Sequence, residues 1–125
     1  MGKSVLIVDD CATTRKLVGL YLKQQGFSLV QAENGLEALE KMAQTPVDLV
    51  ITDMNMPRMD GLSLTRALKQ DQAYASIPVV MLTTEDAAKE REQGMAAGAA
   101  AYLVKPVNQQ LLVQEVTRVL AGAIT

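Results

Sequence analysis

The stretch Ser4-Val5-Leu6-Ile7-Val8-Asp9-Asp10 joins a run of apolar, largely β-branched residues to two carboxylates. A run of this kind is typical of a strand that helices cover on both faces of a parallel sheet. Similar runs recur and alternate with segments of helical period, which indicates repeated βα units. The predicted strands are at residues 4–8, 28–32, 49–52, 78–82 and 100–104. The pattern therefore predicts an α/β fold with one parallel, doubly wound, five-stranded sheet.

The segment after the first strand is predicted to form the first helix, at about residues 13–25. Leu17, Leu20 and Tyr21 recur there at helical spacing, which indicates an apolar face. Gly26 then supplies a residue that readily adopts the backbone conformation found at helix C-termini.

The other helices are predicted from caps and apolar spacing. The last begins at Asn108, whose side chain is a good N-cap, and continues to Gly122. Its apolar spacing predicts a buried stripe that consists of Leu112, Val116, Val119 and Leu120. The three middle helices are expected at residues 36–43, after Asp60-Gly61 with Leu64, Ala67 and Leu68 on one side, and at about 86–97.

Length and composition indicate one globular domain over residues 1–125. The chain is 49% hydrophobic and 21% charged, which allows a real core. Its apolar runs are far shorter than the roughly 20 residues that span a bilayer, and the N-terminus has no signal-peptide pattern, so we expect a cytoplasmic protein without membrane insertion. With a net charge of −2 and no basic patch, direct nucleic-acid binding is not expected.

Histidine is absent, and Cys11 is the only cysteine in the sequence. Together these facts exclude an internal disulfide, a Ser-His-Asp triad, and zinc sites built on histidine or on clustered cysteines. Cys11 follows the acidic pair at a predicted helix start, and we interpret it as a small packing residue rather than a redox group.

Polar residues follow four of the predicted strands at their carboxyl ends. Asp9 and Asp10 follow the first strand, Asp53 the third, Thr83 the fourth and Lys105 the fifth. In open parallel sheets, ligands bind beyond these ends, where the strand order reverses. Each residue alone could be a helix cap or a turn residue. Their joint placement at one edge predicts a functional site with three carboxylates in a small space.

Three carboxylates so close together repel one another, so positive charge must compensate them. Lys105 is one candidate, and the oxygen-only ligand set favours Mg²⁺ over zinc or copper as the other. A carboxylate such as that of Asp53 can act as a nucleophile and carry phosphorus as an acyl phosphate. The metal, Lys105 and Thr83 could then stabilise the phosphoryl oxygens.

The whole chain resembles the receiver domain of two-component response regulators, particularly the single-domain chemotaxis type. The resemblance is carried by Val8-Asp9-Asp10, Asp53-Met54-Asn55-Met56-Pro57 with Asp60-Gly61, Leu82-Thr83-Thr84-Glu85, and residues 98–106, GAAAYLVKP. It implies a flavodoxin-like (βα)5 fold with the strand order 2-1-3-4-5.

The resemblance also implies roles for the matching residues. Asp53 is expected to be the phosphoacceptor and to bind Mg²⁺ together with Asp9, Asp10 and the backbone carbonyl of Asn55. Lys105 is expected to bind the phosphoryl group.

Thr83 is expected to bind a phosphoryl oxygen and to act with Tyr102 as the switch, and the Lys105-Pro106 bond is expected to be cis. Asn55, Thr84 and Glu85 are expected to tune dephosphorylation. Two positions depart from the family's usual residues, because Thr84 stands where Ala or Gly is frequent and Val107 where Phe is common.

The implied partners are proteins. A histidine kinase is the expected phosphodonor, and a flagellar motor component or another downstream regulator is the expected output target. The chain is expected to be a monomer. It is expected to catalyse its own phosphorylation and slow dephosphorylation without being a conventional enzyme. Its output face would consist of the fourth helix, fifth strand and fifth helix.

Two other functions are weighed against this one. A phosphatase of the haloacid dehalogenase type also has a nucleophilic Asp after a strand. Such enzymes have a second Asp two residues later, but this chain has Asn55 there. A flavodoxin-like nucleotide or flavin binder would need a phosphate-binding loop after the first strand. In this chain, Asp9 and Asp10 stand there and would repel a phosphate.

Overall fold

In residues 3–84 and 88–124, which the computed structural model describes, five strands alternate with five helices. The strands are β1 (Ser4–Val8), β2 (Ser28–Ala32), β3 (Leu49–Asp53), β4 (Val79–Thr83) and β5 (Ala101–Val104). The helices are α1 (Ala12–Lys23), α2 (Gly35–Gln44), α3 (Gly61–Gln70), α4 (Ala88–Ala97) and α5 (Gln109–Ile124). The strands are parallel, in the order β2-β1-β3-β4-β5. The predicted fold class and strand order are confirmed.

Two strand ends differ from prediction in a way that matters for the site. β3 extends to Asp53 and β4 to Thr83, so both polar residues are the last residues of their strands. β4 begins at Val79 rather than Pro78, because proline has no N–H to donate to a neighbouring strand. The predicted start of the fourth helix, at about residue 86, lies outside the described residues. The other described ends lie within two residues of their predicted positions.

Alternate residues of each strand pack on opposite faces of the sheet. Val5 and Ile7 face the core under α1 and α5, whereas Leu6 and Val8 face the core under α2 and α3. The stripe predicted on α5 is confirmed, because all four of its residues are buried: Leu112, Val116, Val119 and Leu120. A smaller third group, here named the Tyr102 cluster, consists of Met54, Met81, Ala99 and Tyr102.

The apolar face predicted for α1 is wrong in part. Leu17 and Leu20 are 38% and 52% exposed, and Tyr21 is only partly buried. The residues that α1 buries completely are Val18 and Leu22. Gly19 lies beside them, and a Cβ there would be 3.2 Å from Leu29 Cδ1 on β2. The helix therefore lies close to the sheet at a glycine, a residue that an apolar pattern does not count.

This burial pattern generates a stability prediction. Leu22→Ala should lower the free energy of unfolding by about 2–5 kcal/mol, because a fully buried leucine leaves a cavity. The matched variant Leu20→Ala should change it by less than about 0.5 kcal/mol, because that side chain is half exposed. Urea unfolding of both variants measures the difference. Equal losses would contradict the buried face that the structure gives to α1.

Candidate functional site

Three carboxylates come together where β1 and β3 end. One ligand oxygen each from Asp9, Asp10 and Asp53 lies within 4.8 Å of the others. Asp9 and Asp53 are buried, with 1% and 7% exposure, whereas Asp10 is exposed. The cluster is therefore held by the protein on one side and open to solvent on the other. Such a set of oxygen ligands fits a hard divalent cation with free coordination positions, as predicted for Mg²⁺.

Lys105 provides positive charge beside this cluster. Its Nζ lies 2.7 Å from Asp9 Oδ2 and 3.7 Å from Asp53 Oδ2. The Lys105 backbone N–H donates to the Thr83 carbonyl at 2.8 Å, which fixes its position at the end of the sheet. The Lys105-Pro106 bond is cis, as the resemblance implied. Burial alone would lower the pKa of Lys105, but the hydrogen bond to Asp9 and the charge of Asp53 outweigh it and raise that pKa.

Asp53 is a carboxylate in an unfavourable environment. Burial, followed by the negative charge of Asp9, raises its pKa from 3.8 to about 6, and Lys105 offsets only part of this rise. The group is therefore still mostly ionised at neutral pH. A divalent cation bound to the cluster would favour the ionised form further, because bound cations are usually the largest local charges in a site.

The two residues expected to act as the switch lie on neighbouring strands. Thr83, at the end of β4, is completely buried, and Tyr102 on β5 is 6% exposed. In the register of the two strands, Met81 pairs with Tyr102 and Thr83 with Val104. Thr83 and Tyr102 therefore share one face of the sheet, since residues two apart on a strand point the same way.

The residues expected to tune dephosphorylation lie at the rim of the site. Asn55 is exposed in the loop after β3 and lines a recess of about 290 Å³ with Asp60 and Glu90. Thr84 is exposed directly after Thr83. Glu85 lies outside the described residues. The role of Asn55 as a metal ligand and the tuning roles of these residues stay predictions.

Sequence reasoning missed the residues that hold the turn after β1. Arg15 on α1 donates from Nη1 to the Asp9 carbonyl at 2.6 Å and from Nε to Gln31 Oε1 at 3.3 Å. The Cys11 backbone N–H donates to Asp9 Oδ1 at 2.9 Å. The Cys11 side chain is exposed, so its interpretation as a packing residue is wrong. Hydrogen bonds with Thr14 lower the pKa of this thiol.

Gly61 is a second residue whose role the sequence did not reveal. Its N–H donates to the Met54 carbonyl at 3.0 Å, and a Cβ at this position would overlap the Asp53 carbonyl oxygen. Asp60 caps the same helix, because its Oδ1 accepts from the Ser63 N–H at 2.7 Å. The start of α3 is thus held tightly against the end of β3. A glycine directly after an N-cap, where glycine is not favoured, is the signal that could have indicated this close approach.

Comparison with known proteins identifies the family. The model of the response regulator receiver domain matches residues 5–117. The chain therefore belongs to the response regulator receiver domain family. Receiver domains of this type are phosphoacceptor switches that take phosphate from histidine kinases and act on protein targets. This membership favours the switch over both alternative functions.

Individual relatives point in the same direction. The chain is 37% identical over 118 residues to chemotaxis protein CheY1 of Helicobacter pylori, which covers 93% of this chain and 95% of that protein. It is 40% identical over 115 residues to a gliding motility regulatory protein of Myxococcus xanthus, covering 91% of this chain but 15% of that protein. The structure of chemotaxis response regulator CheY4 of Vibrio cholerae is 36% identical, with a TM-score of 0.89, and the match covers 95% of this chain and 99% of that one.

The sequence predicted no membrane-spanning segment. Among the described residues, no helix is long and apolar enough to cross a bilayer.

The buried charge of Asp53 generates a prediction for the metal-free protein. Its folded pKa exceeds the unfolded value, so ionisation opposes folding increasingly from about pH 4 to pH 6, and the cost is complete above that range. The full shift would correspond to about 3 kcal/mol, which solvent screening reduces to about 1 kcal/mol. Asp53→Asn should therefore raise the free energy of unfolding by about 1 kcal/mol at pH 7.5, and the gain should vanish near pH 4.

Urea unfolding at both pH values, without and with Mg²⁺, measures this gain. Added Mg²⁺ should shrink it, because the cation compensates the wild-type carboxylate. Asp71→Asn, remote from the cluster, is the matched control. An Asp53→Asn protein less stable than wild type at pH 7.5 without Mg²⁺ would show that the contact with Lys105 outweighs the repulsion.

Proposed function

We propose that the chain accepts a phosphoryl group on Asp53 from a histidine kinase, with Mg²⁺ held by Asp9, Asp10, Asp53 and the Asn55 carbonyl. The observation that carries this proposal is the placement of the Lys105 ammonium between two buried carboxylates, at 2.7 Å and 3.7 Å, beside an exposed third carboxylate. This arrangement concentrates negative charge at an opening to solvent. A divalent cation and a phosphoryl group entering there would both find ligands.

The chemistry follows from the charges of these residues. An oxygen of ionised Asp53 attacks phosphorus, and the bond from phosphorus to the donor nitrogen of the kinase breaks as the acyl phosphate forms. Lys105 can bind a phosphoryl oxygen, because its ammonium already reaches Asp53. Bound Mg²⁺ would supply positive charge to the remaining oxygens. Asp9 holds Lys105 in place, and the Arg15 contact to the Asp9 carbonyl supports the turn.

Readout is proposed to pass through Thr83 and Tyr102. A phosphoryl group adds about −1.5 to −2 charges and strong acceptor oxygens, which can attract the Thr83 hydroxyl. Tyr102 is proposed to rotate into the space opened in this way. The Tyr102 ring is 6% exposed, so the fold accommodates an inward position of this side chain. Phosphorylation would therefore increase the population of an existing inward state rather than create it.

The proposed partners are proteins. The chemotaxis protein of H. pylori and the gliding motility regulatory protein of M. xanthus support a chemotaxis-type pathway, with a flagellar motor component or another regulator as target. The face formed by α4, β5 and α5 is the proposed contact surface. A monomeric state, a cytoplasmic location and the tuning of dephosphorylation by Asn55, Thr84 and Glu85 stay predictions.

Phosphate uptake tests the proposed function directly. With acetyl phosphate and Mg²⁺, intact-mass measurement should show one added phosphoryl group in the wild type and in the control variant Asp71→Asn. Asp53→Asn should show none, because the nucleophile is missing, and Asp10→Ala should need a higher Mg²⁺ concentration for half-maximal labelling. Equal labelling of Asp53→Asn and wild type would identify another acceptor.

The coupling between Thr83 and Tyr102 has its own test. Thr83→Ala should accept phosphate on Asp53 but lose most of the phosphorylation-dependent decrease in solvent exposure of Tyr102. Hydroxyl-radical labelling of Tyr102, with and without acetyl phosphate, measures this exposure. Thr83→Ser keeps the hydroxyl and should retain the decrease. An undiminished decrease in Thr83→Ala would separate Thr83 from the switch.

A further inference from the structure

The buried position of Tyr102 leaves little room for a side chain at position 94, where the sequence has Gly94. Gly94 is the only residue buried among the described residues of α4, and it faces the ring. A Cβ there would lie 3.4 Å from Tyr102 Cδ2 and 3.5 Å from Met81 Cγ, which is ordinary contact distance. Atoms beyond Cβ would enter space that the ring occupies. The glycine therefore makes the room into which the tyrosine fits.

Arg91 covers the same ring from the solvent side. It stands three residues before Gly94 on α4, so the two residues share a helix face. The Arg91 guanidinium carbon lies 5.6 Å from the centroid of the Tyr102 ring, within the range of a cation–π contact. Arg91 is exposed, whereas Tyr102 is 6% exposed. The ring is thus enclosed between a cation and the sheet.

The Tyr102 cluster connects the ring to the segment after Asp53. Tyr102 packs in one cluster with Met81 and Met54, and Met54 directly follows Asp53. Leu62 at the start of α3 packs against the same cluster. A change in the position of Tyr102 therefore alters the packing of the residue next to the acceptor. A contact that holds the Tyr102 ring inward therefore also influences the packing of Met54.

We propose that Arg91 is a positioning residue that clamps Tyr102 in its inward position through the cation–π contact, whether or not Asp53 carries a phosphoryl group. This inference rests on the proposed function only in treating Tyr102 as the switch. Loss of the contact should favour the outward ring by about two- to fivefold, the range expected for an exposed cation–π pair. Arg91 would then set the resting balance that phosphorylation and a partner shift further.

Hydroxyl-radical labelling of the unphosphorylated full chain tests the clamp, because the labelling rate follows exposure of the ring and not the ionisation of its hydroxyl. Digestion and mass spectrometry give the rate at Tyr102 relative to Tyr74 in the same molecule. Arg91→Gln should raise this ratio about two- to fivefold, and so should Arg91→Met, which keeps an unbranched side chain over the ring but removes the cation. Lys89→Gln removes one positive charge from the same helix and should leave it unchanged. Arg91→Lys should give an intermediate ratio, because the cation is kept but the planar group is lost.

Two further measurements distinguish displacement of the ring from a general loss of folding. Gly94→Leu, which fills the space of the ring, gives the labelling rate of a displaced tyrosine, and melting temperatures show whether Arg91→Gln is as well folded as Lys89→Gln. An unchanged ratio in a folded Arg91→Gln protein, or equal rises in Arg91→Gln and Lys89→Gln, would overturn the clamp. Failure of Asp53 to take up phosphate would instead overturn the proposed function and leave this result unaffected.

Discussion

The contact of Lys105 with two buried carboxylates is the interaction on which the site depends. Asp9 and Asp53 come from the neighbouring strands β1 and β3, where the register pairs Val8 with Thr52, and this adjacency brings their charges together. Lys105 follows β5, so its side chain must cross the end of β4 to reach them. The strand order 2-1-3-4-5 therefore determines both the repulsion and its compensation. A different order would leave the carboxylates uncompensated or apart.

The sequence predicted those features that reside in short segments. Strands covered on both faces carry nearly continuous apolar runs, so their positions were recognisable without knowledge of their neighbours. Asp9, Asp53 and Lys105 were recognisable as a site because each ends such a run. The buried face of α1 was less predictable, since Leu17 and Leu20 fit a helical stripe as well as Val18 and Leu22 do. Only the close approach at Gly19 distinguishes the two faces, and that approach is a tertiary feature.

Other features of the site were not predictable because they arise between segments distant along the chain. The raised pKa of Asp53 results first from burial and then from the charge of Asp9, neither of which spacing reveals. Arg15 reaches the Asp9 carbonyl only because α1 turns back over β1. The ring contact of Arg91 likewise depends on where α4 rests on β5.

The weak anchoring of α4 connects these observations to a mechanism. α2 and α3 each bury several residues of their own, whereas the described residues of α4 bury only Gly94. An element with so little buried apolar surface can move at a small cost in free energy. Its position is therefore sensitive to what lies beneath Gly94, which is the Tyr102 ring. A ring that contacts Arg91 and packs in one cluster with Met54, the residue after Asp53, is therefore suited to transmit a change at Asp53 to the surface of α4.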